Sequence, residues 1–441
     1  MKPSKYNLFF SLDNNDLLIV YNTLTRSLVL IDRELHELLI TGDMSHLFRS
    51  DIANRLFETG IIIRDDTNED IYIKKLYQQM FSDNSVSLWV SLTSRCNLAC
   101  PYCYQSTRKQ TEGEDLTYER WKYLYRYIAR KINEGAKNIS LVLYGGEPLL
   151  NPTISVYVLR DLDFISQEYG ITIEKGIITN GTIYNEHVKE VFDRTDYIQI
   201  TIDGPKDIHN KRRYFKDGRG SFDIILSNLL RVIEKHSKKV ILRINIDEYN
   251  HNKIEELLDF LAELGLHKYV EIDIAPVYPD QAHKYIPFIT SKNLSEYYIT
   301  MSKRSIELIG YAVKKGFKAS KAFSWGPCMV RAKNGYAVDE KLNLYPCPGF
   351  LYTVPLGYIN SKGEIIFLSN IKEKITSEIP SCVYTCVYGP VCWGGCVFLK
   401  HLNVPTCPRV IFTHSDLERL MRAYVMSRYR EVVERARRSG S

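Results

Sequence analysis

The rhythm of apolar and polar positions divides this chain into three stretches. In the first, short apolar or alternating runs stand between turn residues: Asn7 to Leu12, Leu17 to Tyr21 and Ser27 to Ile31. They predict a small antiparallel meander. Asp32 precedes a helical pattern that runs to Ile40 and is placed to cap it. A second helix is predicted from about Met44 to Glu58, ended by Gly60, with a strand over Ile61 to Arg64. A charged stretch from Asp65 to about Asn84 predicts a linking helix. In the second stretch strands alternate with helices. Strands are expected near 88–93, 139–144, 171–178, 197–202, 239–246 and 269–275, and helices near 116–133, 153–168, 184–193, 221–236, 251–264 and 293–316. Such βα repetition predicts an α/β fold with a parallel sheet, here an open, partial barrel of βα units. In the third stretch the periodicity gives way to loops rich in Cys, Gly and Pro. An amphipathic helix closes it, from about Ser415 to Arg438, with Leu417, Leu420, Met421, Val425 and Tyr429 on its apolar stripe. Three domains follow, over residues 1–82, 86–316 and 317–441.

Composition narrows the class. Of 441 residues 45% are apolar and 25% charged, ordinary for a globular protein with several cores. The net charge of +6 is mild and its basic residues are scattered, which argues against a nucleic-acid partner. Neither a signal peptide nor an apolar run long enough for a membrane span is present, so the expected location is cytoplasmic. Ten cysteines in such a chain favour metal over disulfides.

Three of those cysteines stand as Cys96-x3-Cys100-x2-Cys103, directly after the apolar run Leu88 to Thr93. Structural zinc takes four nitrogen or sulfur ligands, and no fourth Cys or His lies nearby. A four-iron cluster tolerates three thiolates and leaves one iron open. With Tyr102 before the last cysteine, this loop resembles the signature of radical SAM enzymes, in which the open iron binds S-adenosylmethionine. The resemblance extends along the chain. Gly145-Gly146-Glu147-Pro148 matches the family's GGEP motif, implying a hold on the methionyl amine; alone it reads equally as a turn. Thr179-Asn180-Gly181 falls where the family places ribose contacts, and also reads as a helix-capping turn. Thr201-Ile202-Asp203-Gly204, with His209, Arg213 and Gly220-Ser221-Phe222, resembles a stretch of the SPASM branch. It implies that Thr201 and Arg213 meet the methionyl carboxylate, a bidentate role suited to arginine. Arg212 is adjacent, so either arginine fits that register. Arg243 and Asn245 share one face of their strand and read equally as cavity-lining or as satisfied core polars.

The other seven cysteines are Cys328, Cys347, Cys382, Cys386, Cys392, Cys396 and Cys407. The pattern resembles the SPASM domain, which carries two auxiliary [4Fe-4S] clusters. Matched by position, Cys328, Cys347 and Cys396 would bind the nearer cluster, and Cys382, Cys386, Cys392 and Cys407 the distal one. The chain departs from that pattern in several respects. C-x3-C replaces the usual C-x2-C, Leu342 stands where a glycine is usual, and no cysteine lies between 317 and 327 to complete the nearer set. The last departure implies either a three-thiolate site with an open iron or a non-cysteine fourth ligand. Zinc is the alternative for these thiols.

The strands and helices of residues 1–82 resemble a PqqD-like, winged-helix-like element that captures leader peptides, by strand addition to the meander edge. An accessory cap without a ligand is the plainer reading. Together the resemblances imply a radical SAM maturase with S-adenosylmethionine and three [4Fe-4S] clusters. Its partners would be a precursor peptide with a leader and an electron donor such as flavodoxin or ferredoxin. Side-chain cross-linking, with thioethers slightly favoured, is the first expected chemistry. Formylglycine formation in sulfatases is the second, opposed by Pro348 where that group has Asp. A non-catalytic iron–sulfur carrier would leave the GGEP and Arg213 motifs without a role. Asp203, Asp247 and Asp273 are candidate acids, none of which can be assigned as the base from sequence.

Overall fold

A computed structural model of the chain describes residues 1–11, 17–43, 51–80, 84–105, 113–290, 292–320, 328–353, 355–370 and 378–439. In the N-terminal region β1 (Lys2–Pro3) precedes a meander of β2 (Asn7–Ser11), β3 (Leu17–Asn22) and β4 (Leu28–Asp32), and β5 (Ile62–Ile63) returns to pair with β1. The helix Arg33–Thr41 is capped as expected, with Asp32 accepting from the Leu35 amide. The described part of the next helix spans Asp51–Glu58; residues 44–50 of its expected range lie outside the described residues. A helix over Glu69–Met80 links to the central domain. Strand alternation gives the meander two apolar faces. Val20 and Ile31 pack under the two helices with Leu39, Ala53 and Leu56. Leu8, Phe10, Ile19 and Tyr21 face the other way, onto Tyr388, Val391, Cys392, Leu417 and Met421 of the C-terminal region.

The central strands are β6 (Ser85–Thr93), β7 (Asn138–Gly145), β8 (Thr172–Thr179), β9 (Tyr197–Thr201), β10 (Lys239–Ile246) and β11 (Val270–Pro276). They run parallel in sequence order, and β12 (Lys318–Ala319) adds to the far edge. Leu88, Val90, Leu242, Ile244 and Ile272 point to the helices and form the main core. The intervening positions point to the concave side, which places Trp89, Gln199, Arg243, Asn245 and Asp273 there. Helices at Lys206–Arg212 and Pro279–Tyr285 were not expected from sequence; both are too short to show a full apolar period.

The C-terminal region is more regular than the expected loops. Strand β13 (Asn334–Val338) pairs in parallel with β6, setting Tyr336 opposite Leu88. From it β14 (Asn343–Tyr345), β15 (Gly357–Ile359) and β16 (Ile365–Phe367) continue antiparallel, so one sheet runs from the barrel into the cysteine-rich region. These strands are three to five residues long, and β13 takes its partner β6 from far along the chain, which hides them from periodicity. Leu342 closes the β13–β14 turn at φ 69°, in the left-handed region, where the family resemblance expects glycine. Its side chain is buried in the main core, which offsets the backbone cost. Among the described residues, no helix is long and apolar enough to cross a membrane.

Candidate active site

The carboxyl ends of the parallel strands open on a cavity of about 580 Å³, where ligands of such sheets sit. Cys96, Cys100 and Cys103 line one side of it, and Cys328, Cys347 and Cys396 line another. Burial pushes the Cys100 thiol up to about 12 and the Cys347 thiol up to about 12, so a metal must displace protons to bind there. Cys392 lies within electrostatic reach of Cys382 and of Cys407, and none of the three lines this cavity. Cys386 and Cys392 both border the apolar cluster shared with the meander. Of the seven C-terminal thiols, Cys328, Cys347 and Cys396 line the cavity and the other four do not. Among the described residues no three His, Cys, Asp or Glu side chains close on a single metal ion.

The end of β7 presses directly on the cysteine loop. A Cβ on Gly146 would collide with the Arg95 carbonyl and one on Gly145 with that of Thr93, so both glycines are required by close backbone approach. Both line the cavity, whereas Glu147 and Pro148 do not reach that surface. Glu147 is fully buried, and burial raises its pKa. Its carboxylate accepts from the Leu149 amide at 3.0 Å, the Asn180 amide at 2.6 Å and Thr179 Oγ1 at 2.7 Å. It thus ties the end of β7 to the end of β8. Thr179, Asn180 and Thr201 line the cavity.

The stretch after β9 is a scaffold for one arginine. Gly204 packs against Ile208, and His209 Nδ1 accepts from the Asp203 amide while Nε2 faces Ser221. Burial pulls His209 down to about 3, so the ring is neutral. Asn210 accepts from the Phe222 amide, and the Ser221 hydroxyl donates to the Arg213 carbonyl. Arg213 ends the short helix and faces the cavity, donating to Tyr102 Oη at 2.7 Å; Tyr102 in turn donates to Asp203. Arg212 does not line the cavity: its guanidinium lies 4.8 Å over the Tyr102 ring and is held in a buried ion pair with Asp247 that Tyr285 also joins. Geometry thereby distinguishes two arginines that sequence could not. Arg243 lines the cavity and is also satisfied, pairing with Asp273 at 3.0 Å and Asn245 Oδ1 at 3.0 Å. Of the three candidate acids, Asp203 and Asp247 are fully buried in these networks and Asp273 lines the cavity. Trp89, Tyr144, Gln199 and Tyr278 also line it and were not singled out from sequence. Only Gln199 left a signal in the sequence, as a polar interruption of an apolar strand.

The residues fit a thiolate-held cluster and its cofactor. The cavity offers soft sulfur donors, and the buried Arg213 Nε has no hydrogen-bond partner among the described residues. Such a donor suits a carboxylate.

Comparison with known proteins agrees with this geometry. Residues 90–261 match the Radical SAM superfamily. The chain is 24% identical over 341 residues to the cysteine-type anaerobic sulfatase-maturating enzyme of Clostridium novyi, covering 71% of this chain and 88% of that one. It is 23% identical over 278 residues to the radical SAM cyclopropyl synthase TigE of Paramaledivibacter caminithermalis, spanning 57% of this chain and only 56% of that relative. Among solved structures, native anSMEcpe with bound AdoMet and the Cp18Cys peptide superposes with a TM-score of 0.53 at 17% identity, covering 80% of this chain and 99% of that one. With the Cys96–Cys103 loop at the mouth of a parallel sheet and the superfamily match running from β6 across it, this chain is a radical SAM enzyme.

Proposed function

We propose that this chain matures a ribosomally made precursor peptide by cross-linking side chains within it, with thioether formation favoured over carbon–carbon bonds. The observation that carries this reading is the shared cavity. Three thiols that suit the radical SAM cluster and three that suit an auxiliary cluster face one space. A substrate side chain there would lie within reach of both. In this reading Cys328, Cys347 and Cys396 hold one auxiliary [4Fe-4S] cluster, and Cys382, Cys386, Cys392 and Cys407 hold the other. The nearer set has three thiolates, which leaves an iron for a substrate cysteine and favours the thioether.

When bound, the Cys96 cluster and S-adenosylmethionine supply a 5′-deoxyadenosyl radical that takes hydrogen from substrate. The chain's own residues position and enclose. Gly145 and Gly146 allow backbone approach to the cofactor, Tyr102 and Arg213 form a cationic wall for its carboxylate with Thr201, and the Arg243–Asp273 pair lines the cavity. Residues 1–82 would present the leader, and a reduced flavodoxin or ferredoxin would supply the electron.

The second reading is sulfatase maturation, favoured by the Clostridium novyi relative. Pro348 lines the cavity directly after Cys347, where the resemblance places an aspartate in that group, which sets this reading behind the first. The test is the anaerobically reconstituted chain with S-adenosylmethionine, dithionite and the peptide of any short reading frame found beside its gene, followed by tandem mass spectrometry. The expected product has lost two hydrogens and a thiol that can be alkylated, and the Cys96→Ala variant forms none. Conversion of a cysteine to an aldehyde would establish the second reading. S-adenosylmethionine cleavage with the peptide untouched would sink the first.

A further inference from the structure

Behind Cys96 lies a closed ring of polar side chains. Asn180 Nδ2 donates to Asn97 Oδ1 at 2.8 Å, Asn97 Nδ2 donates to Thr182 Oγ1 at 2.8 Å, and Thr182 Oγ1 donates to Asn180 Oδ1 at 2.6 Å. Every link runs in the same sense, so the bonds polarise one another. The orientation of the Asn180 amide is determined by the backbone. The Thr182 N–H also donates to Asn180 Oδ1, at 2.9 Å, and a main-chain donor cannot exchange roles. Oδ1 therefore faces Thr182, and the NH2 group must face the cysteine loop. One of its hydrogens goes to Asn97. The other points at Cys96 Sγ, 3.8 Å from the nitrogen.

This leaves the amide fully engaged. Oδ1 accepts two bonds and Nδ2 gives two, which exhausts an asparagine side chain. A ribose contact, the role that family resemblance implies for Asn180, would have to break one of them. The ring is also held from beneath. The Asn180 main-chain N–H donates to buried Glu147, and Gly181, at φ 78°, has no room for a side chain between Ile200 and Ile225. The Cys96 sulfur also accepts from the Leu98 amide, so Asn180 is its second donor.

We propose that Asn180, locked by Thr182 and Asn97, is a positioning residue that donates an N–H to the Cys96 thiolate and thereby raises the reduction potential of the cluster held there. Hydrogen bonds to cluster sulfurs withdraw negative charge and make reduction easier. In a site that must accept an electron before anything else happens, that is a functional setting. The inference rests on the radical SAM cluster and not on the identity of the substrate.

The test is an EPR-monitored redox titration of the reconstituted full chain, without peptide, using the S-adenosylmethionine-responsive signal to identify the Cys96 cluster. Asn180→Asp and Asn180→Leu each remove the donor, one keeping the acceptor oxygen and one keeping neutrality. Both should shift the midpoint potential of that cluster to more negative values and leave the auxiliary signals in place. Thr182→Val keeps Asn180 but unlocks its amide, and should give a smaller shift of the same sign. Should Asn180→Leu fail to retain iron, the other two variants decide. Unchanged potentials with weakened S-adenosylmethionine binding would overturn the proposal and return Asn180 to the cofactor.

Discussion

Arg212 and Arg213 are adjacent in the chain and both contact Tyr102, one at its ring and the other at its hydroxyl. Both have a buried Nε without a hydrogen-bond partner among the described residues, but Arg213 lines the cavity, whereas Arg212 does not and neutralises Asp247, which is 0% exposed. Their substitutions should therefore separate. Arg213→Met removes a charge-assisted donor worth about 1.5–3 kcal/mol, so S-adenosylmethionine affinity should fall about 10- to 100-fold, with a smaller loss of melting than Arg212→Met because Asp203, its ion-pair partner, keeps Tyr102 and the Asn245 amide as donors. Arg212→Met leaves a buried carboxylate uncompensated, at a cost of about 3–5 kcal/mol, so the thermal midpoint should fall while affinity per folded molecule holds. Equilibrium dialysis with labelled cofactor, run beside thermal melts, measures both. An affinity loss confined to Arg212→Met would reverse the assignment.

At the scale of an element, the β13–β14 turn sets strain against burial. Leu342 holds a left-handed backbone, costing about 1–2 kcal/mol, and buries its side chain to 1% exposure in the main core. Glycine would relieve the strain but forfeit about 2–5 kcal/mol of packing. Leu342→Gly should therefore melt lower than the parent chain, although it restores the residue usual in the related family. A melt at or above the parent would show that strain dominates. The turn is also held by Asp339, whose carboxylate accepts from the Lys341 and Asn343 amides, so the backbone course survives in either residue's presence. The same reasoning explains why β13 was missed from sequence. Its pairing partner, β6, lies far away in the chain, and a five-residue run shows no period of its own.

For the whole molecule, the N-terminal meander is a structural neighbour of the distal thiols. Leu8, Phe10, Ile19 and Tyr21 share a core with Tyr388, Val391, Cys392, Leu417 and Met421. Deleting residues 1–82 would bare that core, beyond any effect on a leader peptide. On the proposed cluster assignment, the reconstituted deletion variant should lose about four of about twelve irons, those proposed for Cys382, Cys386, Cys392 and Cys407, and still cleave S-adenosylmethionine at the Cys96 site. Iron analysis and cleavage without peptide provide the check. Retention of all the iron would mean that the distal thiols do not need this cover.

The sequence alone determined what is local or periodic. The six central strands and their helices were legible because apolar positions recur with the period of each element, and the Cys96 loop because its ligands share one turn of chain. The grouping proposed for the other seven thiols came only through resemblance. Only the tertiary structure decided which arginine meets the cavity, that Glu147 lies behind its wall, and that Asn180, Asn97 and Thr182 close a ring behind Cys96. It also decided that one sheet joins the barrel to the cysteine-rich region. Those outcomes depend on side-chain direction and on contacts between residues far apart in the chain, and neither leaves a period in the sequence.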